Sequence, residues 1–67
     1  LETQIKKGLG EHIWLETQND LKRLIESETD EKNRRDLTYI AEFVDELDFV
    51  SAETLFDRYM ERKRNND

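Results

Sequence analysis

The sequence predicts an all-α fold, a small three-helix bundle around one core, and three observations carry that expectation. Apolar residues recur at i, i+3, i+4, i+7 in three separate segments, the spacing that gathers them on one side of a helix. Proline is absent and only two glycines occur, so the punctuation of a turn-rich β fold is missing. With 67 residues the chain is one domain at most, in the range where a single small core can just sustain folding. A helical hairpin that completes its core by dimerising is the architectural alternative.

Taken in order, residues 1–10 hold Leu1, Ile5 and Leu9 in an i, i+4, i+8 row. Gly8 and Gly10 bracket Leu9, and each costs a helix interior about 1 kcal/mol relative to alanine, so a frayed or separate turn is expected there. Leu1-Glu2-Thr3-Gln4 recurs as Leu15-Glu16-Thr17-Gln18, but the flanking residues diverge and coincidence is the better account of the repeat. The first full helix is expected over about 11–27, with Ile13, Trp14, Leu21, Leu24 and Ile25 on one face. Glu26 to Asp36 contains no apolar residue, so the chain turns or runs exposed there. Thr29 or Asp30 can cap the next helix by accepting from an orphan N–H, and Asp30 and Glu31 suit the positive end of its dipole.

The second helix is expected over about 31–47 and is the richest in the chain. Leu37, Ile40, Ala41, Val44 and Leu47 form a core stripe, and Tyr39, Phe43, Leu47 and Val50 form a second stripe beside it. Asp48 to Ser51 reads as a turn. Ser51 is the expected N-cap of a third helix over about 52–64, with Val50 and Leu55 as a hydrophobic staple across it. Ala52, Leu55, Phe56, Tyr59 and Met60 then repeat at helical spacing. Arg62, Lys63 and Arg64 complement the C-terminal end of the dipole, and residues 65–67 are expected to fray. Trp14, Tyr39, Phe43, Phe49, Phe56 and Tyr59 are the aromatic residues available to fill the core.

Composition removes several classes of function. Without cysteine there is no disulfide framework, thiolate metal site or thiol nucleophile, which fits a cytoplasmic or otherwise intracellular location. No apolar run approaches the roughly 18 residues that span a bilayer, and the first residues lack a signal peptide's apolar core. A first residue Leu1 rather than Met is what a piece of a longer or processed protein would have.

His12 is the single histidine, and with Glu16 at i+4 it supplies at most two ligands, fewer than a zinc site needs. Glu42, Asp45, Glu46 and Asp48 cluster, but a convex helix face gives carboxylates no desolvated site for acid–base or cation chemistry. Leu47 and Phe49 also stand where an EF-hand loop would need oxygen ligands, and the loop glycine is absent. No metal, cofactor or small-molecule substrate is expected. Nor is enzyme activity, since nothing supplies a nucleophile, a paired base or a cofactor loop.

The remaining candidates are recognition surfaces. Residues 28–48 carry eight acidic and three basic residues, net −5 of the chain's −6. Tyr39, Glu42, Phe43, Asp45, Glu46 and Val50 are therefore the candidate docking residues of a non-enzymatic interaction or regulatory module. Its acid steers a partner and its aromatics anchor it. The partner is another protein or a second copy. Alternatively, Ala41 and the stretch Val50-Ser51-Ala52-Glu53-Thr54-Leu55 resemble the second half of a helix-turn-helix. That resemblance implies a last helix entering a DNA groove with Arg58, Arg62, Lys63 and Arg64 on phosphates. The net acidity and the intervening Asp57 and Glu61 oppose phosphate binding, so nucleic acid is the less favoured partner.

Overall fold

Among the described residues four helices form, one more than the three expected. In a computed structural model that describes residues 1–65, α1 spans Glu2–Gly10, α2 Leu15–Ser27, α3 Glu31–Asp45 and α4 Phe49–Asn65. Asn65 closes α4, and the rest of the expected frayed end, Asn66 and Asp67, lies outside the described residues. The extra element is α1, expected only as a loose turn. It is a full member of the fold because Ile5 and Leu9 are completely buried, each burial stabilising by about 1.5–3 kcal/mol. Its glycines do not break it. Gly8 is buried against α2, where a Cβ would fall 2.1 Å from Thr17 Oγ1, so the missing side chain is what lets the two helices approach.

Two helix starts have side-chain caps. Asp30 caps α3 by accepting from the Asn33 amide at 3.0 Å, as one of the two anticipated caps. At α4 the cap is Asp48 rather than Ser51: Asp48 Oδ1 accepts from the Ser51 amide at 3.2 Å, and the helix begins at Phe49, which is buried. The proposed staple is consequently absent, since Val50 lies within the helix and is 71% exposed.

Two further ends share one geometry. At the end of α1, His12 N–H donates to Leu9 and Ile13 N–H to Gly8. At the end of α3, Leu47 N–H donates to Val44 and Asp48 N–H to Phe43. Both are Schellman turns, which place the residue after the cap in the left-handed region. His12 has φ 59° and Leu47 φ 62°, so neither turn uses the glycine that usually sits there. This removes Leu47 from the core stripe and leaves it exposed, and α3 stops at Asp45. It also stops the first segment early. The helix expected from residue 11 starts only at Leu15, and Trp14, assigned to the core, is 43% exposed in the connecting loop.

The helices pack as a closed ring. α1 lies against α2 and α4, and α3 against α2 and α4, with no diagonal pair in contact among the described residues. Neighbours run antiparallel: Lys63 meets Glu2, Lys6 meets Asp57 and Glu53, and His12 stacks on Phe49, in that order along α1 and its following turn. Leu21, Leu24, Leu37, Ile40, Val44, Ala52, Phe56 and Tyr59 fill the centre with Ile5 and Leu9. The chain buries this core within itself, without the second molecule that a lone hairpin would need. Thr17 and Gln18 are buried while Thr3 and Gln4 are exposed, so the two Leu-Glu-Thr-Gln segments are not structural equivalents.

One end of the ring is tied by a polar cluster. Lys63 Nζ lies 3.6 Å from both Glu2 and Glu28 carboxylates and donates to the Tyr59 hydroxyl at 3.3 Å, which itself donates to Glu28 Oε2 at 3.3 Å. The Tyr59 bond raises Lys63 above its ordinary pKa despite partial burial. Burial raises the Tyr59 phenol, and the Asp30 amide holds the Glu28 carboxyl below its ordinary value.

Candidate functional site

The outer seam between α3 and α4 gathers most of the sequence's candidate residues. Tyr39 and Phe43 stand one turn apart on α3, beyond the stripe of Leu37, Ile40 and Val44 that faces the core. Tyr39 is 52% exposed and Phe43 is half-buried against the edge of the core. Across the seam, Val50 and Thr54 are exposed and Leu55 is half-buried. Two hollows lie along it. One, of about 290 Å³, is lined by Phe43, Val50, Ser51, Thr54 and Leu55. The other, of about 220 Å³, is lined by Asp36, Tyr39, Leu55, Arg58, Tyr59 and Arg62. Leu55 borders both, so the hollows adjoin along one groove with an aromatic floor and polar margins.

The acidic candidates divide. Glu42 and Glu46 are exposed and lie within one turn of Tyr39 and Phe43 on the same side of α3. Asp45 projects toward α2 instead, where its Oδ1 accepts from Gln18 Nε2 at 2.5 Å while the same amide donates to the Ala41 carbonyl at 3.1 Å. Asp45 thus anchors the α2–α3 contact.

The basic candidates divide further. Arg58 is exposed on the groove margin and makes no ion pair among the described residues. Arg62 donates to Asn33 Oδ1 at 2.8 Å and to Asp36, tying α4 back to α3. Lys63 points to the opposite side, into the Glu2, Glu28 and Tyr59 cluster, with its ammonium 5.6 Å from the Tyr59 ring centroid. Arg64 borders a hollow between α1 and α4 with Lys6, Phe56 and Met60. The four do not form one surface.

Sequence reasoning missed that Lys32 and Arg35, both exposed, share the outer side of α3 with Tyr39. The signal was present in their spacing of seven and four residues from Tyr39, masked by the net acidity of the region. His12 is not on a helix and so is not paired with Glu16 at one turn; its ring stacks on Phe49 with centroids 5.0 Å apart and planes 6° apart. No group of three or more histidine, cysteine, aspartate or glutamate residues is placed to hold a metal ion among the described residues. No helix among them is long and apolar enough to cross a membrane. The chain matches no family model, and neither a curated protein nor a solved structure is significantly similar to it.

Proposed function

We propose that the protein is a non-enzymatic helical interaction module whose docking surface is the α3–α4 groove. The observation behind this reading is the apolar seam itself. A chain this small, with 34% hydrophobic residues, leaves Tyr39 and Val50 more than half exposed along one groove while the half-buried Phe43 and Leu55 line it. Exposed aromatic and aliphatic anchors with a charged rim are the make-up of a docking site. The alternative, in which α4 enters a DNA groove, has less behind it: Arg62 and Lys63 are already engaged by carboxylates of the same chain.

A photoreactive amino acid tests the reading when it replaces Val50 in one protein and Arg23 in another. Arg23 is exposed on α2, away from the groove. Illumination in an extract of the source cell is expected to give a discrete adduct from residue 50 and none from residue 23. Equal labelling from both, or none from either, refutes it.

A further inference from the structure

Resting on that docking reading, we infer that the partner is a second copy of this chain, seated on the α3 margin of the groove with α3 packed antiparallel on α3 about a two-fold axis near Tyr39. The outer side of α3 carries, in order, Lys32, Arg35, Tyr39 and Glu42, and its C-cap residue Glu46 follows in the same register. Their spacings of three, four, three and four are those of a heptad stripe. Tyr39 lies seven residues from both Lys32 and Glu46, and Arg35 lies seven from Glu42. The stripe is basic in its first half, aromatic at its centre and acidic in its second.

Within one molecule these charges cannot satisfy each other. At a rise of about 1.5 Å per residue, Arg35 and Glu42 are about 10 Å apart along the helix and Lys32 and Glu46 about 21 Å. The order is also unfavourable for an isolated helix. Lys32 with Arg35, and Glu42 with Glu46, are like-charge neighbours at one-turn spacing. Lys32 and Arg35 lie in the N-terminal half of α3, behind the favourable Asp30 and Glu31, while α3 has no basic residue in its last turn to meet the negative end of the dipole. A pattern that contradicts local preference is expected where the sequence serves something beyond the single fold.

An antiparallel copy sets each of these charges against an opposite one. Residue 32 then faces residue 46 of the second copy, residue 35 faces residue 42, Tyr39 meets its equivalent, and the two helix dipoles oppose. The interface is isologous, as a two-fold requires. Arg58 adds to the basic end of the same surface, because the bond from Arg62 to Asn33 sets the C-terminal part of α4 beside the start of α3. Lys32, Arg35, Arg58, Glu42 and Glu46 make no ion pair with their own chain among the described residues. A stable dimer needs about 800 Å² from each partner, which one face of a molecule with 4717 Å² of surface can supply.

Sedimentation equilibrium of the full chain, from micromolar to millimolar and at low and high salt, is the test. The expected result is a monomer–dimer equilibrium that weakens as salt rises. Reversing one half of the stripe, with Lys32→Glu and Arg35→Glu together, or the other half, with Glu42→Lys and Glu46→Lys together, should raise the dissociation constant at least about a hundredfold. An equimolar mixture of the two variants should restore a dimer. A wild type that stays monomeric throughout, a dimer indifferent to salt, a dimer that survives in both variants, or a mixture that does not associate overturns the proposal. A monomeric wild type whose residue 50 still crosslinks a different protein leaves the docking reading standing with another occupant. Loss of the crosslink as well removes both.

Discussion

Gly8 of α1 faces Thr17 of α2 so closely that a Cβ at residue 8 would lie 2.1 Å from the Thr17 hydroxyl oxygen and 3.3 Å from its Cβ. Gly10, two residues on, is exposed and would set its Cβ 3.4 Å from the end of the flexible Glu53 side chain. The two glycines should therefore answer alanine with opposite signs. Gly10→Ala is expected to stabilise by about 0.5 kcal/mol through reduced freedom of the unfolded chain. Gly8→Ala gains the same term but pushes α1 off α2, for a net loss of about 1–2 kcal/mol. Urea titration followed by circular dichroism measures both, and a stabilised Gly8→Ala protein would refute the close-approach account.

Leu47 holds a left-handed backbone at φ 62° while exposing 65% of its surface. Leu47→Gly should raise stability by about 1 kcal/mol, because the strain of a Cβ in that region disappears and little burial is lost. In a domain of this size the unfolding midpoint should rise about 4–8 °C. His12→Gly relieves the same strain but forfeits the stack on Phe49, worth about 0.5–1.5 kcal/mol, and should change the midpoint little. A scanning calorimeter distinguishes the pair.

Glu28 governs part of the acid limb of stability. Its carboxyl sits below the ordinary value of 4.5, chiefly through the hydrogen bond from the Asp30 amide and then through Lys63 and Tyr59. A depressed carboxyl stabilises the fold above its unfolded pKa, and that contribution is lost as pH falls from about 4.5 through the folded value. Glu28→Gln should be less stable than wild type at pH 7, with the difference shrinking toward pH 3. Urea midpoints at several pH values test this, and a difference constant with pH would assign the effect to packing.

A mixed-sequence DNA duplex at low salt should show no saturable binding by fluorescence anisotropy. Net charge is −6, and Arg62 and Lys63 are held by Asp36, Glu2 and Glu28. Binding that weakens steeply with salt would return the helix-turn-helix reading to first place.

The core of α3 was legible in the sequence because Leu37, Ile40 and Val44 obey helical spacing and Asp30 is a strong cap. The start of α4 was not, since Asp48 and Ser51 are equally good caps locally and the burial of Phe49 decides between them. The glycines misled most. Gly8 and Gly10 read as helix breakers, yet both lie inside α1, whereas the left-handed residues that end α1 and α3 are His12 and Leu47, which carry no turn signal in sequence. Helical spacing alone puts Trp14 and Leu47 on the core face, and these two turns expose them. Of the docking candidates, Tyr39 and Phe43 stand one turn apart on α3 as their spacing implies, whereas Val50 reaches the same groove from α4, because the left-handed Leu47 breaks the single stripe expected through it. Asp45 falls on the far side of α3, toward α2, a distinction that depends on which flank each neighbouring helix covers.

The closing of the ring by α1 has a further consequence, for the order in which the molecule comes apart. α1 has nine residues, too few to be helical alone, and its ion pairs to α4 join residues 47 and 51 apart in sequence. Those are late and entropically expensive contacts, while α3 and α4 are joined by a three-residue turn. Amide hydrogens of α1 should therefore exchange through a partial opening that leaves the α3–α4 hairpin protected. In that opened form Ile5 and Leu9 are withdrawn, and the flanks of α2 and α4 that they cover meet water on the side of the molecule away from α3.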